Sequence, residues 1–138
     1  MEEEKQVQKQ EDVYSTGEVF YAYFRFDEGG EKGKHRPIVA MRNEEDETWK
    51  ALKVTSRIAK KINHKYGYLL KHWEEVGLER PSIVKCNRED IIDIDPQNIV
   101  KKLGDLSEAD LKGLFVKLLK VKDIEYRRDQ QKINEIER

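Results

Sequence analysis

The run Gly17 to Phe26 (Gly-Glu-Val-Phe-Tyr-Ala-Tyr-Phe-Arg-Phe) restricts the fold more than any other stretch. Aromatic and β-branched residues in close succession favour a strand, and the period of two divides them between two faces. Phe20, Ala22, Phe24 and Phe26 share one face, and Val19, Tyr21, Tyr23 and Arg25 the other. Both faces are largely apolar, which fits a central strand or a barrel strand. Asp27 to Gly33, with Gly29-Gly30 and Gly33, reads as a flexible connection. Residues 36–42 form a second strand, and Asn43 to Glu47 an acidic exposed turn.

More short strands follow at close spacing. Trp49 to Ser56 places Leu52, Val54 and Ser56 on one face and Ala51, Lys53 and Thr55 on the other. With Leu52 and Val54 as core, Thr55 is expected to project outward beside basic side chains. Gly67 to Trp73, Pro81 to Cys86 and Asp90 to Asp95 read as further strands, with Glu74 to Arg80 a turn. Arg57 to Tyr66 is left open between helical turns and a loop. Strands of this length and spacing predict a small β-barrel.

The period then changes. Ser107 is a good N-cap, with Asp110 three residues on as a weaker capping-box acid, and Leu106 and Leu111 occupy hydrophobic-staple positions. Leu111, Leu114, Phe115, Leu118 and Leu119 trace one helical face, so an amphipathic helix is expected to cover the barrel. The reading is therefore a mainly β chain with α, divided into a polar arm (1–16), a barrel domain (17–120) and a charged helical or disordered tail (121–138). In the tail, Ile124, Ile133 and Ile136 are too sparse for a packed face.

A chain of 138 residues is long enough for one domain with a real core. The single cysteine, Cys86, excludes an intramolecular disulfide, fits a reducing cytoplasm and sits in a strand context that favours a buried thiol. No apolar run approaches membrane-spanning length, and the acidic start is unlike a signal peptide. A net charge of −1 hides segregation: Lys50, Lys53, Arg57, Lys60, Lys61, Lys65 and Lys71, with His64 and His72, fall between Lys50 and Trp73 without an acid. Such a chain can present a positive groove, or simply a solvated basic face.

The segment Lys32-Gly33-Lys34-His35-Arg36-Pro37-Ile38-Val39-Ala40-Met41 delivers an arginine to the start of the second strand. The planar guanidinium fork suits a phosphate, and Pro37 holds Arg36 extended while withholding a backbone donor. On these residues alone, a solvated hairpin arginine is the plainer reading, and Thr55 needs no more than β-propensity. The carboxylates show no metal-ligand spacing and no Cys/His cluster exists, so no metal or other cofactor is expected.

The ordered set of motifs resembles the MazF/PemK (Kid) family of toxin endoribonucleases from type II toxin–antitoxin systems. Its pieces are Gly17-Glu18-Val19, Lys34-His35-Arg36-Pro37-Ile38-Val39 and Val54-Thr55-Ser56, then Leu78 with Arg80-Pro81-Ser82. Ile91-Ile92-Asp93-Ile94-Asp95 and Leu103-Gly104-Asp105-Leu106-Ser107 complete it, over roughly residues 17–120. The resemblance implies an SH3-like barrel of the MazF/PemK/CcdB type, a homodimer, a cognate antitoxin and a metal-independent ribonuclease acting on single-stranded RNA. It carries catalytic roles onto Arg36 and Thr55, with Ser56 a lesser candidate. With RNA as substrate, Lys34, Lys53, Arg57, Lys60, Lys61 and Lys65 become its expected contacts. The long basic stretch 57–73 departs from the family, as do the arm and the tail.

Metal-free cleavage uses the RNA's own 2′-hydroxyl as nucleophile, so the protein must align it, take its proton and stabilise charge on the phosphorane and the leaving 5′-oxygen. Arg36 suits the charge role. A threonine hydroxyl is a poor base, so Thr55 is expected to hold a phosphate oxygen or the 2′-hydroxyl. Histidine is the usual general base near neutrality, but strand alternation directs His35 away from Arg36, leaving it a possible catalytic residue only. His64 and His72 are expected to meet phosphate or solvent. Two other classes fit a barrel of this kind: a non-catalytic nucleic-acid or peptide binder, and a protein-directed toxin like the gyrase poison CcdB.

Overall fold

The computed structural model describes residues 14–25 and 33–137. The expected arm up to residue 13, Phe26 and the connection as far as residue 32 lie outside the described residues. Among the described residues, seven strands run β1 (Glu18–Arg25), β2 (Gly33–Asn43), β3 (Thr48–Thr55), β4 (Gly67–Leu69), β5 (Ile83–Lys85), β6 (Ile91–Asp93) and β7 (Ile99–Asp105). Helix α1 (Lys61–Tyr66) lies between β3 and β4, and α2 (Glu108–Glu137) follows β7. The strands form one antiparallel sheet in the order β4-β5-β3-β2-β1-β7, with β6 also on β3. This is the mainly β architecture with a terminal helix read from the sequence, although the sheet does not close on itself.

Strand β1 is central, pairing with β2 on one side and β7 on the other. Each of its faces meets a separate core. Val19, Val39, Leu52, Val54 and Val84 pack with Val76 and the α2 residues Leu114 and Val121. Phe20, Ala22, Ile38, Ala40 and Ala51 form the second cluster, closed by Tyr14, Trp49, Ile92, Ile94 and Ile99. Tyr14, at the end of the expected frayed arm, lies edge-on to Phe20 and Trp49 with ring centroids 5.8 and 5.6 Å away.

The second cluster corrects the expectation for β3. Ala51 and Thr55 share the face opposite Leu52 and Val54, yet they are only 1 % and 9 % exposed, because that face is covered too. Thr55 therefore does not project freely into solvent. Cys86 is buried, and burial pushes its thiol up to about 12, leaving it an inert packing group.

Two elements differ from the pattern in the sequence. The strand expected over Gly67 to Trp73 stops at Leu69. Beyond it the Lys71 and His72 amides donate to the Asp110 carboxylate, each at 2.9 Å, so a side chain takes the place of a ladder partner. Strand β7 was not foreseen. Its residues do not alternate cleanly, and its register on β1 shifts twice, between Val19 and Phe20 and between Tyr21 and Ala22.

Helix α2 begins as its cap predicts, with the Asp110 amide donating to Ser107 Oγ at 3.1 Å. Its docked face differs from the expected one. Asp110, Leu114, Val121 and Glu125 are buried, whereas Phe115 and Leu119 are 45 % and 70 % exposed. Past Lys120 the helix stays attached: Glu125 accepts from the Arg88 amide at 3.2 Å, and the Arg88 guanidinium grips Asp129 at 2.8 and 3.0 Å. No helix among the described residues is long and apolar enough to cross a membrane.

Candidate functional site

The β2–β3 ladder ends at the pair Ile38–Lys53. The next residue of β2 is Pro37, which has no amide hydrogen to continue it. Past this point β3 pairs with β5, through Val54–Val84 and Thr55–Ile83, while β2 stays on β1 through Ala22–Arg36 and Tyr21–Pro37. The two strands part, and a cleft of about 430 Å³ opens between their ends.

Arg36 and Thr55 both line it, each two residues past the last ladder pair and on that pair's face of the sheet. Thr55 Oγ1 accepts the Arg57 amide at 3.2 Å, which fixes the oxygen and leaves its proton available to a ligand. Ser56 also lines the cleft and is exposed. His35 does so as well, so alternation does not remove it from the site. Its ring lies 5.5 Å from that of Tyr21 and 5.1 Å from that of Tyr23.

The expected RNA contacts divide. Lys34 and Arg57 line the cleft. Lys53 is turned away, 5.5 Å above the Phe24 ring and 3.8 Å from Asp90. Lys60, Lys61 and Lys65 are exposed at and along α1, outside the cleft lining. The remaining histidines have protein partners: His64 Nε2 meets the Ile58 carbonyl, and His72 Nδ1 lies 2.9 Å from Ser107 Oγ.

Sequence reasoning missed two cations of the cleft, Arg80 and Lys101. Arg80-Pro81 repeats the dipeptide Arg36-Pro37, a signal available in the sequence. Lys101 belongs to the unforeseen β7, where it pairs with Tyr21, also in the cleft wall. Among the described residues Arg36, Arg57, Arg80 and Lys101 have no acidic partner. Cations without acidic partners around one opening favour an anionic ligand there. No group of three or more His, Cys, Asp or Glu suited to a metal occurs among the described residues.

A family model for the PemK-like, MazF-like toxin of type II toxin–antitoxin systems matches residues 15–135. No curated protein matches. Among solved structures, Mycobacterium tuberculosis toxin MazF-mt6 is similar in fold, with a TM-score of 0.54 at 16% identity, covering 75% of this chain and 96% of that one.

Proposed function

The chain belongs to the PemK-like, MazF-like toxins of type II toxin–antitoxin systems, and on that premise we propose that it is a metal-independent, sequence-specific endoribonuclease for single-stranded RNA. The family implies RNA as substrate and a cognate antitoxin as partner. The observation that carries the finer reading is the shared cleft of Arg36 and Thr55, formed where Pro37 ends the β2–β3 ladder.

In this reading the scissile phosphate sits between the two strand ends. Arg36 donates to its non-bridging oxygens and to the departing 5′-oxygen, stabilising charge that grows in the transition state. The Thr55 hydroxyl, its oxygen fixed by the Arg57 amide, donates to the phosphate or steadies the 2′-oxygen. Lys34, Arg57, Arg80 and Lys101 hold the flanking backbone. The 2′-oxygen attacks phosphorus, the bond to the 5′-oxygen breaks, and the products carry 2′,3′-cyclic phosphate and 5′-hydroxyl ends. The working unit is a homodimer, and an acidic segment of the antitoxin competes with RNA for the basic cleft.

Incubation with a long mixed-sequence RNA, followed by end-group analysis, tests the reading. Cyclic phosphate at unique sites, unchanged by EDTA, is the expected result. Cleavage abolished by EDTA, or RNA bound but left intact, contradicts it.

A further inference from the structure

The cleft lining contains five cations, Lys34, Arg36, Arg57, Arg80 and Lys101, and one carboxylate, Glu79. A carboxylate in a phosphate site repels the substrate, and Glu79 has no hydrogen bond or ion pair among the described residues to explain its place there. We infer that Glu79 is the general base that takes the proton from the attacking 2′-hydroxyl; this rests on the ribonuclease reading above.

The chain holds this residue on a fixed wall. Gly77 has a φ of 91°, which residues with side chains rarely adopt, and a Cβ there would meet the Leu103 carbonyl oxygen at 3.1 Å. The Gly77 amide donates to the Glu74 carbonyl at 3.1 Å and the Leu78 amide to that of Trp73 at 3.2 Å. Val76, inside this turn, is fully buried. On the other side, Ser82 is buried, its Oγ donates to the Arg80 carbonyl at 2.8 Å, and its own carbonyl accepts the Leu70 amide at 3.0 Å. The backbone at Glu79 and Arg80 is thus held between two anchors, with an acceptor and a donor exposed on the same wall. The anchored backbone leaves the Glu79 side chain to reach from the wall, and a base must come within about 3 Å of the hydroxyl it serves.

His35 is the other side chain of the cleft lining whose type serves as a general base, and it packs beside two tyrosine rings on the alternate face of β2 from Arg36. In the step, the 2′-oxygen gives its proton to the Glu79 carboxylate as it bonds to phosphorus. The bond from phosphorus to the 5′-oxygen breaks, and that oxygen takes a proton from water. Glu79 then returns its proton to solvent, so the net transfer is from the 2′- to the 5′-oxygen.

The test is steady-state cleavage of a short RNA spanning a site mapped with the wild-type chain. Glu79→Gln keeps the shape and removes both the base and the negative charge. Its kcat is expected to fall by about 10²- to 10⁴-fold, the range for a lost general base, while KM stays level or drops because repulsion is gone. Glu79→Asp is expected to recover part of the rate. A wild-type rate in Glu79→Gln overturns the inference, as does a loss accompanied by a raised KM or lowered thermal midpoint. A wild-type chain that cleaves no RNA removes the ribonuclease reading itself, a failure visible before any variant is made.

Discussion

The Asp110 carboxylate, fully buried, accepts a hydrogen bond from the Tyr68 hydroxyl at 2.9 Å, 42 residues away in the chain. Together with the Lys71 and His72 amides, this bond fastens the start of α2 to the segment leaving β4. Burial alone would raise the Asp110 carboxyl, but the two amides and the phenol hold it below its ordinary value. The same pair, after burial itself, pushes the Tyr68 hydroxyl up to about 12.

Asp110→Asn is expected to cost about 1.5–3 kcal/mol at neutral pH, the range for hydrogen bonds to a charged group. Because the folded carboxyl is held low, its contribution is complete above the ordinary carboxylate range and fades as pH falls through the lowered value. Denaturant unfolding of wild type and variant from neutral to acid pH is expected to show their stability difference shrinking. A constant difference contradicts the role of the charge.

Val121 and Glu125 dock the far half of α2, so that half contributes to stability. Val121→Ala removes two buried methyl groups and is expected to cost about 2 kcal/mol. Truncation after Lys120 is expected to lower the thermal midpoint more than Val121→Ala does. A truncated chain as stable as the full one contradicts the docking.

Binding of single-stranded RNA is expected to weaken with salt at a log–log slope of about −0.7 per neutralised phosphate. Arg80→Ala and Lys101→Ala should each flatten the slope by roughly one such unit, and Lys65→Ala by less. Equal effects from all three would mean that the RNA runs over α1 as well as through the cleft, and a larger effect from Lys65→Ala would place it on α1.

Thr55→Val is expected to lower both cleavage and stability, the latter by about 1 kcal/mol, because the buried hydroxyl oxygen accepts the Arg57 amide. Thr55→Ser retains the hydroxyl and should keep most of both. Ser56→Ala should do less to cleavage than Thr55→Val, since Ser56 is exposed at the strand's end. A Thr55→Val enzyme with full activity removes Thr55 from the site.

Much of this was legible in the chain. The two apolar faces of Glu18 to Arg25 announced a strand covered on both sides, and Ser107 announced the start of α2. Arg36 and Thr55 took their catalytic roles from the resemblance, and β2–β3 register explains why they line one cleft. What escaped notice depends on contacts distant in sequence. Glu125 looks like a solvent residue until Arg88 is placed beside it, and Lys71 and His72 leave the ladder only because Asp110 reaches them. Strand β7 breaks alternation with bulges, so Lys101 was hidden with it. Arg80 was missed for a different reason: its repeat of Arg36-Pro37 was in plain view, but a turn arginine carries no face until the fold supplies one.

The most direct measurement of the central claim is the single-turnover cleavage rate of Arg36→Ala beside wild type on one RNA of mapped site, with a 2′-deoxy nucleotide at that site as a parallel substrate. Arg36→Ala is expected to lose about 10²- to 10³-fold, the scale for removing one transition-state donor, with the thermal midpoint unchanged and the 2′-deoxy RNA uncut by either chain. Full activity in Arg36→Ala, or cleavage of the 2′-deoxy RNA, would contradict that claim.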